Sequence, residues 1–311
     1  MTFAKVASPM THTRITDGPA RLTSPDDLRR WSLRCHAAGM TVGLVPTMGA
    51  LHRGHMSLVT RARRECDRVV VSIFVNPAQF GPGEDFDRYP RALESDLRLL
   101  TDAGVHAVFL PPVEAMYASG RATGVRVHGP LGELFEAAAR PGHFDGVALV
   151  VTKLLFAARP DRAYFGQKDA QQCAVVRRLA RDLDTGVQIT ICPTVRDEDG
   201  LALSSRNVYL SAEERNRALA IPEGLRAAAR LFDQGQRRVE TLIKAVREPL
   251  DRAGMRVDYI AVVDPETFSA VEIAAVESEI LVAARINATR LIDVLRLGRD
   301  AAPRVSGSDI T

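Results

Sequence analysis

The stretch from Val42 to Thr60, V-G-L-V-P-T-M-G-A-L-H-R-G-H-M-S-L-V-T, constrains the fold more than any other part of the chain. Val42, Leu44 and Val45 form an apolar run that predicts a buried strand. Pro46 and Gly49 are expected to stop the strand and open a loop. The loop ends in His52-Arg53-Gly54-His55, and Met56, Leu58, Val59 and Ala62 follow at helical spacing. Two imidazoles therefore stand where a loop enters a helix. Unpaired N–H groups and a partial positive charge gather at such an N-terminus, which suits a phosphate. The imidazoles could face it as neutral donors or as imidazolium ions, and Gly54 permits a close backbone approach. An H-x-G-H string alone says little; its strand–loop–helix setting and a second basic turn downstream give it weight.

With 311 residues, two domains are a better expectation than one core. Apolar residues make up 46% and charged residues 25%, an ordinary globular balance. A net charge of +3 gives no argument for nucleic acid. The apolar run Val69 to Val75 is too short to span a bilayer, and the first 20 residues show no signal-peptide core. Cys35, Cys66, Cys173 and Cys192 are scattered, without C-x-x-C spacing, and form neither a disulfide framework nor a zinc site. Reduced thiols and a cytoplasmic location are expected.

Residues 1–22 read as irregular. Ser24-Pro25-Asp26-Asp27 has the signals of a helix start, and that helix runs to about Ala38. Strands are expected at Arg68 to Val75, Ala107 to Leu110, Ala163 to Phe165 and Gln188 to Cys192. Helices are expected at Arg91 to Ala103, Asp145 to Ala158 and Ala170 to Asp182, with a short helical piece near Leu131 to Ala139. This alternation predicts a doubly wound parallel sheet. Its loop from Asn76 to Pro90 lies at the carboxyl end of a strand, the end that faces the ligand crevice, and Gln79 stands out in it. Arg140-Pro141-Gly142-His143-Phe144 is a basic turn, and Gly166-Gln167-Lys168-Asp169 opens a helix with a cation at its tip. Beyond Pro193 the texture changes: a polar turn, then Ser204-Ser205-Arg206-Asn207, then a capping-box pair at Ser211 and Glu214. Helices near Ala212–Gln234 and Arg238–Ala253 precede strands at Val257–Val263, Ile280–Arg285 and Thr289–Leu295, an α+β pattern. The expected division is a Rossmann-like α/β domain over residues 1–194, a smaller C-terminal α+β domain over 195–298, and a disordered tail over 299–311.

A ligand held among the turns at His52, Lys168 and Ser204 would meet two imidazoles, an ammonium, a guanidinium and two hydroxyls. Such a set stabilises the charge that spreads over an α-phosphate during nucleotidyl transfer. No carboxylate pair or serine triad stands out, so the substrate's own carboxylate could be the nucleophile. Lys168 and Arg206 could instead be solvated charges, and Ser204 and Ser205 turn residues.

Six ordered motifs carry a resemblance: P-T-M-G-A-L-H-x-G-H (Pro46 to His55), F-V-N-P-x-Q-F (Phe74 to Phe80), R-Y-P-R (Arg88 to Arg91), P-G-H-F-D-G-V (Pro141 to Val147), F-G-Q-K-D-A-Q-Q (Phe165 to Gln172) and S-S-R-N-x-Y-L (Ser204 to Leu210). Together they closely resemble the pantothenate synthetase (pantoate–β-alanine ligase) family, from about Thr41 to Gly298. That resemblance implies ATP-dependent adenylation of pantoate, displacement of AMP by β-alanine, a fold of the H-x-G-H nucleotidyltransferase type whose first domain binds ATP and pantoate, and a cytoplasmic homodimer. It implies an ATP site of Met48, His52, His55, Gly166, Lys168, Asp169, Val195, Leu203, Ser204, Ser205 and Arg206, with Mg²⁺ accompanying ATP and no metal held by the protein alone. His55 would be the proton donor, with His52 and Lys168 also catalytic; Gln79 and Gln172 would hold pantoate, and Gln79 would also meet β-alanine. Two departures stand out: Arg53 where the family has glutamate, and Leu203 where it has methionine. Competing readings are an H-x-G-H transferase for another small molecule, a tRNA synthetase, for which no K-M-S-K-S-type loop is found, and a nucleotide-binding regulatory module.

Overall fold

The structure is a computed structural model that describes residues 18–303. Its first half is a six-stranded sheet whose adjacent strands all run parallel. In chain order the elements are β1 (Ala20–Leu22), α1 (Pro25–Ala37), β2 (Val42–Thr47), α2 (Arg53–Glu65), β3 (Arg68–Ile73), α3 (Leu93–Asp102), β4 (Ala107–Phe109), α4 (Val113–Met116), α5 (Pro130–Glu133), α6 (Glu136–Ala139), α7 (His143–Ala158), β5 (Arg162–Gly166), α8 (Ala170–Asp182) and β6 (Gln188–Cys192). The strand order β1-β4-β3-β2-β5-β6 reverses direction between β2 and β5. At such a switch point the connections leave in opposite directions and a crevice opens beyond the strand ends.

Helices on both faces bury the sheet, so β3 reads V-V-V-S-I with scarcely a polar residue. Two expectations fail for local reasons. Residues up to 22 were expected to be irregular, yet Ala20–Leu22 pairs with Ala107–Phe109; three residues are too few to display a period. Pro46 was expected to stop its strand, yet β2 runs through it to Thr47. Pairing toward β5 covers only Gly43 and Leu44, so the missing Pro46 N–H costs no bond on that side.

The second half contains α9 (Ala212–Ala218), α10 (Ala220–Asp233), α11 (Val239–Arg252) and an antiparallel sheet β7 (Arg256–Val263), β8 (Glu279–Ile286) and β9 (Thr289–Arg296). Ser211 and Glu214 form the expected capping box. The single helix expected over Ala212–Gln234 is broken at Leu219. Pro222 lacks the N–H that would reach the Ala218 carbonyl, so the first helix stops there. Alternate residues of the antiparallel sheet serve two cores. Ile260, Val262, Ile280 and Val282 pack in a cluster drawn from residues 201–297 alone. Ala261, Val263, Leu281 and Val294 join the cluster that contains β2, α7 and α8. Both faces of this sheet are thus covered, one by its own helices and one by the first half.

The tail expected to be disordered from residue 299 begins ordered. The Asp300 carboxylate accepts bonds from Gln167 Nε2 (2.6 Å) and the Arg296 N–H (2.8 Å). Residues 1–17 and 304–311 lie outside the described part of the chain.

Candidate active site

The carboxyl ends of β2, β3, β5 and β6 open into one cavity of about 230 Å³. Met48, His52, His55, Gln79, Gly166, Lys168, Asp169, Gln172, Val195, Leu203, Ser204, Ser205 and Arg206 all line it. Turns far apart in the chain therefore meet at the switch point. A larger cavity of about 500 Å³ adjoins it, shares Arg140, His143, Lys168, Asp169, Gln172, Ser204 and Arg206 with it, and extends to the antiparallel sheet of the second half.

The imidazoles are held by backbone. His52 caps α2: its Nδ1 accepts the Gly54 N–H (3.1 Å), and His55 Nδ1 accepts the His52 N–H (3.3 Å). Each accepting Nδ1 must be unprotonated, so each Nε2 carries the proton. The rings lie 4.0 Å apart. Burial, then Lys168, lowers His52 to about 4; burial, then His52 and Lys168, lowers His55 to about 3. Of the two forms left open by the sequence, neutral donors are the ones present. Gly54 also acquires a specific reason: a Cβ there would lie 2.9 Å from the His52 ring. Arg53 points away, two-thirds exposed, and reaches Asp197 at 2.6 Å.

Gln79 ends a 3₁₀ turn, Pro77–Gln79, and its Oε1 accepts from Asn76 Nδ2 (2.9 Å). Among the described residues the Gln79 amide nitrogen contacts only the weak Met48 thioether acceptor at 3.4 Å, so it has a donor to offer a ligand. Lys168 Nζ, largely buried, stands 3.8 Å from Asp169 Oδ1. The Val195 carbonyl accepts the Leu203 N–H (3.0 Å), which brings the Ser204 turn over the cavity. Ser204 Oγ caps the Arg206 N–H (3.2 Å), and Ser205 Oγ meets Tyr89 Oη at 3.1 Å.

Arg206 is not a free cation. Its Nε and Nη2 both bond Asp85, each at 2.9 Å. Burial works against ionising Asp85, yet the Arg206 bonds outweigh it and hold the carboxyl below its ordinary range. Arg140 is paired the same way with Glu84, through Nε (2.7 Å) and Nη2 (2.6 Å), and Glu84 is likewise held low against its burial. Both carboxylates sit on the 76–90 loop.

Sequence reasoning passed over several of these groups. Asp85 sits in the loop from which only Gln79 was named as a site residue, and Tyr89 was noted there only as part of the R-Y-P-R motif. Asp96, fully buried on α3, accepts the N–H groups of Ala50 (2.9 Å) and Leu51 (2.8 Å) and so shapes the loop before His52. Ala50 has a φ of 50°, a strained conformation that this clamp sustains. Thr194 Oγ1 lines the cavity, is buried, and lacks a hydrogen-bond partner among the described residues. Only the basic turn at Arg140–Phe144 and the R-Y-P-R motif hinted at this second ring of residues. Among the described residues no group of three or more His, Cys, Asp or Glu could hold a metal ion, and no helix is long and apolar enough to cross a membrane.

Comparison with known proteins agrees with this geometry. A family model described as pantoate-beta-alanine ligase matches residues 21–296. A pantothenate synthetase of Rubrobacter xylanophilus is 54% identical over 280 residues, 88% of this chain and 96% of that protein. A crystal structure of pantothenate synthetase from Thermus thermophilus superposes with a TM-score of 0.83 at 49% identity, covering 89% of this chain and 99% of that one. A Francisella tularensis pantoate-beta-alanine ligase, solved with a β,γ-ATP ligand and β-alanine, superposes with a TM-score of 0.72 at 30% identity over 90% of this chain and 98% of that one.

Proposed function

The chain belongs to the pantoate–β-alanine ligase family, and from that premise we propose that its cleft makes pantoyl adenylate from pantoate and ATP and then passes the acyl group to β-alanine. The reaction is that of an AMP-forming ligase that makes an amide bond. One observation carries the reading: the donors needed by a triphosphate and those needed by a small hydroxy acid, drawn from distant turns, line a single cavity.

In the first step the pantoate carboxylate attacks the α-phosphate and pyrophosphate leaves. His52 and His55 offer Nε2–H groups, and Lys168 and Arg206 bring positive charge, to oxygens whose charge grows in the transition state. A neutral His55 would donate an Nε2–H hydrogen bond to the leaving oxygen and keep its proton, with no charged imidazolium beside Lys168. The Gln79 amide N–H and Gln172 would fix pantoate. Thr194 Oγ1, with no partner of its own among the described residues, is an additional hydroxyl for the nucleotide. Mg²⁺ is expected to arrive with ATP, held by phosphates and water, with Asp169 the carboxylate beside Lys168. The family resemblance supports a homodimer in the cytoplasm.

The test is isotope exchange. With pantoate and Mg²⁺ but no β-alanine, the enzyme should exchange labelled pyrophosphate into ATP, and it should not do so without pantoate. Exchange that requires β-alanine would mean a concerted three-substrate step. Exchange without pantoate would mean an adenylated enzyme. Exchange only with some other acid would retain the mechanism and overturn the substrate.

A further inference from the structure

Among the described residues three full cations line the inner cavity: Lys168, Arg206 and Arg140. The first two stand on the turns that carry the nucleotide-binding groups. Adenylation leaves the third without a task, and it leaves the carboxylate of β-alanine without a partner, a charge that a buried site must neutralise.

Arg140 is built for that task. Its side chain is only 16% exposed, and four contacts fix the guanidinium. Nε and Nη2 present a fork to a carboxylate, the two parallel bonds that such a pair prefers. Nη2 also reaches the Gln79 carbonyl at 3.3 Å. Nη1 meets His143 Nε2 at 3.1 Å, while His143 Nδ1 donates to the same Gln79 carbonyl at 2.8 Å. That donation fixes the tautomer: Nε2 is the bare nitrogen and accepts from Arg140. His143 therefore aims the guanidinium and adds no charge. Arg140 also lies on the boundary, lining both the inner cavity and the larger one that reaches the antiparallel sheet. A second substrate that enters through the larger cavity while the inner one is filled would pass this residue.

The carboxylate now in the fork comes from Glu84, on the 76–90 loop. We propose that Arg140 is the seat of the β-alanine carboxylate, and that Glu84 is a stand-in which the substrate displaces. This rests on the ligase reading above. Arg140 would then select a second substrate that carries an acid group and hold its amine toward the acyl carbon near Gln79.

The experiment compares wild type with Arg140→Ala, Arg140→Lys and Glu84→Gln, measuring KM for β-alanine, the preference for β-alanine over its uncharged amide, and pantoate-dependent pyrophosphate exchange. Arg140→Ala should raise KM for β-alanine on the order of 30- to 100-fold, the worth of a desolvated charge pair. It should erase the preference for acid over amide, while exchange falls much less. Arg140→Lys, which keeps the charge and loses the fork, should lie between. Glu84→Gln should lower KM for β-alanine, because it removes the competitor. If Glu84→Gln and Arg140→Ala both raise that KM and leave the acid/amide ratio unchanged, the pair only fastens the loop and the proposal is overturned. Loss of pantoate-dependent exchange in wild type itself would instead overturn the ligase reading, and this proposal with it.

Discussion

His52 and His55 show how the backbone can decide the chemistry of a side chain. Each Nδ1 is taken by a main-chain N–H, so neither ring can present anything but an Nε2–H without breaking the start of α2. Burial and the nearby Lys168 keep both neutral down to about pH 4. The positive charge of the site thus comes from Lys168, Arg206 and Arg140, while the histidines contribute directed donors. The spacing of H-x-G-H was legible in the chain; the tautomers were not, because they depend on backbone geometry at the cap. Arg206 shows the same limit: its position was legible, its pairing with Asp85 was not, because the partner lies 121 residues away. Replacement of His55 or Lys168 by alanine should leave the fold intact and reduce turnover on the order of 10²–10³, the usual loss for one preorganised donor. Single-turnover adenylate formation with matching circular dichroism spectra would check this; near-wild-type rates would remove that residue from the mechanism.

Helix α7 and the turn Pro77–Gln79 form one unit. Asn76 Nδ2 bonds the Gly146 carbonyl at 3.1 Å, and a Cβ on Gly146 would lie 2.1 Å from the Ala78 carbonyl oxygen. The glycine in P-G-H-F-D-G-V therefore allows the turn that carries Gln79 to lie against the helix. Gly146→Ala should favour the isolated helix by roughly 1 kcal/mol yet push the turn away. We expect pantoate KM to rise on the order of tenfold in the exchange assay, the worth of one hydrogen bond, while α7 stays folded; an unchanged KM would show that the turn yields freely. At this scale periodicity served well for α8 and β6, whose apolar patterns are long enough to read. It failed where the deciding feature was small: three residues in β1, a missing N–H at Pro222, and two short helices, α5 and α6, read as one piece. The second ring of the site escaped for a related reason. Asp96 sits on an otherwise ordinary amphipathic helix, and only the folded loop shows that it clamps Ala50 and Leu51.

Beside the apolar face of the second sheet, which packs into the core of the first half, the two halves touch through two unlike sets of side-chain contacts. On one side Glu136, almost fully buried, takes a forked pair of bonds from Arg290 (2.8 and 2.5 Å) and one from Tyr259 Oη (2.8 Å), while Phe135 packs on Tyr259 and Phe268. On the cleft side the contacts include Asp85–Arg206, Tyr89–Ser205 and Arg53–Asp197. The first set is buried and backed by aromatic rings; the second is polar, and its Asp85–Arg206 pair has its guanidinium in the cavity where a triphosphate could take the carboxylate's place. We propose that residues up to 194 and from 195 act as two domains hinged on the Glu136 side. ATP would exchange Asp85 for phosphate on Arg206, and the lips of the cleft would then meet around the ligand, as site closure commonly requires. The radius of gyration from small-angle scattering should therefore fall on adding MgATP with pantoate, and fall less in Arg206→Ala, which has no guanidinium to hand from loop to nucleotide. Profiles that superimpose with and without ligands would mean the halves are one rigid body, with binding confined to movements of the 76–90 loop.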